Sequence, residues 1–162
     1  MKKITKFLII FFTISLFNYS SAHTAGSSST GSSYGNSNLY QKGKKLILRA
    51  KKLEKKNKQD KAEELYLKAL NVFEKAYVKD KKNPDILNYL GFALRKTGDL
   101  EKAEIFYLKG LELDAGHLGI NEYLGELYVQ TNRIDLAKKN LEVLNGCNCE
   151  EYKELKELID NN

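Results

Sequence analysis

The sequence predicts an all-α solenoid of three helix pairs closed by a capping helix. Three observations predict it. From about Leu39 onward, apolar residues recur at three- and four-residue spacings, the period of a helix buried along one stripe. Blocks of residues then recur at shifts of 34 and 41. The 162 residues, 42% hydrophobic and 30% charged, suffice for one domain with a core, and the single proline argues against a loop-rich β-sandwich.

The amino terminus reads as an address. Lys2, Lys3 and Lys6 precede the almost wholly apolar run Phe7 to Phe17, and small residues follow at Ser20 and Ala22. That order is a secretory signal with cleavage after Ala22. The 11-residue apolar run falls short of the roughly 20 residues needed to span a bilayer. Residues 1–22 are expected to be removed, leaving a periplasmic or secreted chain with no stable membrane span. Three of the 27 Lys and Arg leave with the signal, so 24 basic residues face 21 acidic ones. That surplus gives no reason to expect a nucleic-acid partner.

Residues 23–42 begin with a Ser/Gly-rich stretch, His23 to Asn38, that carries no Lys, Arg, Asp or Glu. Such a composition buries too little apolar area to offset chain entropy, so a flexible tether is expected. The repeat domain is expected over 43–162.

Within it, Tyr89-Leu90-Gly91 recurs as Tyr123-Leu124-Gly125, and the same shift of 34 carries Thr97-Gly98 onto Thr131-Asn132 and Ala103 onto Ala137. Upstream, Ala62 to Leu70 matches Ala103 to Leu111 at a shift of 41. The extra seven residues, about Asn71 to Tyr77, are two helical turns and predict a lengthened second helix. Asn57, Gly98 and Asn132 fall between paired helices, where a left-handed residue ends the first. Ala50, Gly91 and Gly125 are small where one helix crosses another, as are Ala62, Ala103 and Ala137 on the second helix. Pro84 after Asn83 suits a helix start. At the carboxyl end, Tyr152, Leu155, Leu158 and Ile159 share one face of a capping helix at about 150–160, with Asn148 and Glu151 placed for a capping-box variant.

This Leu-Gly and Ala pattern with a 34-residue period resembles the tetratricopeptide repeat, with units at 43–83, 84–117 and 118–151. The chain resembles, in particular, a small exported bacterial type of repeat protein. The resemblance implies a right-handed solenoid whose concave surface is lined by the first helix of each pair. On that pattern Lys44, Ile47 and Lys51, then Asn88, Phe92 and Arg95, then Glu122, Glu126 and Val129 face a groove. Phe92 is either an anchor for a ligand there or a core residue. The set differs from the Asn and Lys clamp that some family members use for a C-terminal carboxylate.

Chemistry is sparse elsewhere. Cys147 and Cys149, one residue apart, are open to a disulfide, to intermolecular pairing, or to redox or metal chemistry. His117 reads as an exposed turn residue with no nucleophile or second base beside it. Acidic pairs such as Glu63-Glu64 and Glu150-Glu151 read as polar helix faces. No phosphate loop or zinc motif occurs, so neither a cofactor nor an enzyme is expected. Charge is divided, with 17 basic and 7 acidic residues over 42–97 against 7 basic and 14 acidic over 98–162. That asymmetry permits head-to-tail self-association. The expected function is a non-catalytic protein- or peptide-binding module of the cell envelope. The alternatives are a redox-responsive accessory protein using the two cysteines, and a self-assembling structural protein.

Overall fold

The computed structural model describes the backbone from Thr30 and side-chain surroundings from Ser37; the signal and residues 23–29 lie outside the described residues. Seven helices follow: α1 (Thr30–Glu54), α2 (Gln59–Lys79), α3 (Pro84–Lys96), α4 (Leu100–Leu113), α5 (Leu118–Gln130), α6 (Ile134–Val143) and α7 (Glu150–Asp160). They pack as antiparallel pairs α1/α2, α3/α4 and α5/α6, with α7 against the last pair. The backbones of α1, α3 and α5 also approach one another in sequence, whereas those of α2, α4 and α6 stay apart, Tyr77 of α2 meeting Phe106 of α4 only through an edge-on ring contact at 5.4 Å. The first helices therefore form the tighter, inner row, and the stack is a curved helical-repeat solenoid.

Local sequence explains each pair. Asn57, Gly98 and Asn132 have φ of 53°, 91° and 57°, the left-handed region in which glycine and asparagine end helices. The same backbone bond follows each: Lys58 N–H donates to Leu53 C=O at 3.0 Å, Asp99 to Leu94 at 3.0 Å, and Arg133 to Tyr128 at 2.7 Å. Three turns thus share one hydrogen-bonded closure. Asn83 caps α3 through its side chain, accepting from Ile86 N–H at 3.2 Å, with Pro84 in the first turn.

The core runs continuously through the stack. Ala62, Ala103 and Ala137 are buried, and Tyr66, Phe73, Tyr107, Leu124 and Leu155 fill the space around them. Gly91 is small because of a side chain: a Cβ there would lie 2.7 Å from the Tyr107 ring. The α2 helix has 21 residues against 14 in α4, the seven-residue excess that the shift of 41 requires. Its added turns bury Val72, Phe73 and Ala76.

Three local expectations need correction. The α1 helix starts at Thr30, so residues 30–42, read as tether, are helical. Tertiary contact accounts for the later part, because Tyr40 packs edge-on against Phe73 and Tyr89 at 6.4 and 5.7 Å. Asn148 does not cap α7; it takes φ 50° in the turn, which leaves Cys149 as the N-cap residue without a side-chain bond. His117 is no free turn residue. It caps α5, with Nδ1 accepting from Ile120 N–H at 3.1 Å and Nε2 lying 3.5 Å from Asp85.

Candidate functional site

The inner row of helices brings together most of the residues expected at the groove, but it closes over some of them. Ile47, Phe92 and Val129 are 2%, 2% and 8% exposed. Phe92 is wedged between Tyr66 and Tyr123, with ring centroids 5.9 and 4.7 Å away. It is core, and the groove-anchor reading of it is overturned. The cause is Tyr123, which lies over Phe92 from the next repeat and takes the place a ligand would need.

The polar members form a belt across this aromatic floor. Lys51 Nζ stands 5.0 Å from the Phe92 centroid and 5.1 Å from that of Tyr123, and donates to the Tyr123 oxygen at 3.2 Å. Arg95 stacks over the same two rings and is ion-paired with Glu126. Cations held over aromatic faces are stabilised by the ring quadrupole, more strongly when water is partly excluded. Beneath the belt lies Tyr107, fully buried, whose hydroxyl and the neighbouring Arg95 Nε lack hydrogen-bond partners among the described residues.

Beside this belt the site turns acidic. Carboxyl oxygens of Glu122, Glu126 and Glu154 lie within 4.8 Å of one another. Burial and the neighbouring carboxyls of Glu154 and Glu126 push Glu122 up to about 9, against the pull of Lys51. The protonated form of Glu122 is therefore the favoured one at neutral pH, with Glu154 the carboxyl beside it. Toward the start of α3 and α5 the surface opens into a cavity of about 410 Å³ that includes Lys44, Asn88 and Glu122 from the expected set.

Residues that the sequence reading missed are the tyrosines Tyr40, Tyr89 and Tyr123, the cap His117 and Glu154 of α7. The tyrosines at 89 and 123 had a signal, since each opens a Tyr-Leu-Gly triplet and the two are related by the 34-residue shift. Glu154 had none. Its meeting with Glu122 depends on how α7 docks. Away from the groove, Cys147 and Cys149 are joined as a disulfide in the turn before α7.

Comparison with known proteins agrees with this architecture. The family model described as tetratricopeptide repeat matches residues 84–117. No curated protein matches the sequence. Among solved structures, the type III secretion chaperone SycD of Yersinia enterocolitica, in complex with a peptide of the translocator YopD, is similar at 21% identity. It has a TM-score of 0.51, over 73% of this chain and 86% of that one. A tetratricopeptide repeat protein from Parabacteroides merdae is similar at 18% identity and TM-score 0.52, over 74% of this chain and 59% of that one. The Arabidopsis OM64 tetratricopeptide-repeat domain is similar at 12% identity and TM-score 0.52, over 76% and 98%. With one unit matched by the family model, copies of it on either side and the same stacked fold in these structures, residues 84–117 are a tetratricopeptide repeat within an all-α helical-repeat solenoid.

Proposed function

We propose that the chain is an exported, non-catalytic module that binds a protein or peptide on its concave face. The observation that carries this reading is the open cavity on the inner row, where Tyr40, Tyr89 and Tyr123 stand beside Lys44 and Glu122. Rigid aromatic rings flanked by charge are the surface chemistry of protein recognition. The Yersinia chaperone of the same fold is itself solved with a bound peptide. Export rests on the order of charge, apolar run and small residues in 1–22.

The test has two parts. Cell fractionation and mass measurement should find a chain beginning near His23 outside the cytoplasm. A photo-crosslinker placed at Tyr89, on the inner row, should capture a partner that the same group at Ile105 does not; Ile105 is half exposed on α4, in the outer row. Equal capture from both positions would overturn the concave-face assignment, and an intact leader held in the cytoplasm would overturn export.

A further inference from the structure

The 410 Å³ cavity lies where the starts of α3, α5 and α7 approach the side of α1. Its walls carry the three tyrosines, His117 beside Asp85, and the carboxyl groups of Asp85, Asp114 and Glu151 together with that of Glu122, which burial keeps protonated. Lys44 is the one lysine or arginine among the described lining residues. Its ammonium sits 5.9 and 6.0 Å from the ring centroids of Tyr40 and Tyr89. The cavity is therefore short of positive charge. Asn88, also in the wall, is 5% exposed, and its Oδ1 is buried with no hydrogen-bond partner. A buried acceptor without a donor is unfavourable, and a donor brought by a ligand relieves it. The wall is closely fitted at this point: a Cβ at Gly119 would lie 2.8 Å from Asn88 Nδ2.

We propose that this cavity receives a lysine or arginine side chain of a bound peptide. The proposal rests on the reading of the concave face as a protein-binding surface and adds the chemical class of the side chain it selects. A cationic group satisfies all three features at once. Its charge offsets the surplus carboxyls, its N–H groups donate to the carboxyls and to Asn88, and its cation faces the tyrosine rings. Lys44 already makes the last of these contacts within the chain. An acidic side chain would meet like charge, and an apolar one would leave Asn88 unpaired while desolvating the carboxyls.

The experiment is calorimetric titration of the purified protein with blocked Gly-Lys-Gly-Lys-Gly-Lys-Gly peptides. Versions carrying arginine, acetyl-lysine or glutamate in place of lysine accompany it. The lysine and arginine peptides should bind saturably and at least about tenfold tighter than the other two. Asp85→Asn with Glu151→Gln, both at accessible positions, should weaken lysine-peptide binding by about tenfold or more with unchanged melting. Equal or tighter binding of the glutamate peptide overturns the proposal. So does lysine-peptide binding that the paired substitutions leave unchanged, or no binding at millimolar peptide. Should crosslinking at Tyr89 still capture a partner in that case, the protein-binding reading stands and only the cationic specificity falls. If capture comes equally from Ile105, both fall.

Discussion

Lys51 of α1 and Tyr123 of α5 meet across the groove although 72 residues separate them, the ammonium donating to the phenol oxygen at 3.2 Å. The contact joins the first repeat to the third over Phe92 of the second. Tyr123→Phe removes the acceptor and keeps the ring, and Lys51→Met keeps the stem and removes the charge. A double-mutant cycle in urea should give a coupling of about 0.5–1.5 kcal/mol, the range for a partly exposed hydrogen bond. Purely additive effects would mean that the two ends of the solenoid are not held through this pair.

Gly91 tests the packing inside one repeat. The Tyr107 ring that a Cβ would strike is fully buried and has nowhere to move. Gly91→Ala should therefore cost about 1–3 kcal/mol by overpacking, despite alanine's better helix propensity. A shifted urea midpoint with an unchanged slope is the expected reading. A variant more stable than the parent would mean that propensity outweighs this contact.

What the sequence made legible here was local. Asn57, Gly98 and Asn132 reveal the turns because a left-handed residue is demanded by the backbone itself, whatever packs around it. The buried alanines were legible for a similar reason, since a helix crossing constrains size at one position. The groove was legible only as a direction. Periodicity places Phe92 on the inner row, but whether it meets a ligand or a neighbour depends on Tyr123, 31 residues on, and on its 4.7 Å approach. Glu122 likewise reads only as an acid facing the groove until α7 sets Glu154 beside it. The early start of α1 is not legible in its Ser and Gly composition, because it depends on the anchoring of Tyr40 on Phe73 and Tyr89.

Phe92→Ala distinguishes core from contact. The side chain is 2% exposed and packs between two tyrosine rings. Its truncation should cost about 3–5 kcal/mol, the usual range for deleting a buried phenylalanine side chain. Thermal and urea unfolding should both register the loss, and partner capture should fall only in proportion to folded protein. A near-wild-type melting temperature with capture abolished would return Phe92 to the role of a surface anchor.

Glu122 makes stability depend on pH in an unusual direction. In the unfolded chain its carboxyl titrates near its ordinary 4.5, whereas in the fold burial and the carboxyls of Glu154 and Glu126 move it to about 9, with Lys51 opposing. Between those values the folded state keeps a proton that the unfolded state has released. Linkage then requires this group's contribution to folding to become less favourable as pH rises through the window, and to level off above about 9. Glu104, which its hydrogen bonds from Arg133 hold below the usual carboxylate range, acts the other way, but its stabilisation is lost only as pH falls through that lower range. Urea midpoints should therefore decline from about pH 5 to about pH 8.5. Glu122→Gln, which keeps the shape and cannot ionise, should flatten the decline and be the more stable chain at the alkaline end. A parent protein whose stability is level or rising across this range would show that α7 does not hold Glu154 against Glu122 in solution.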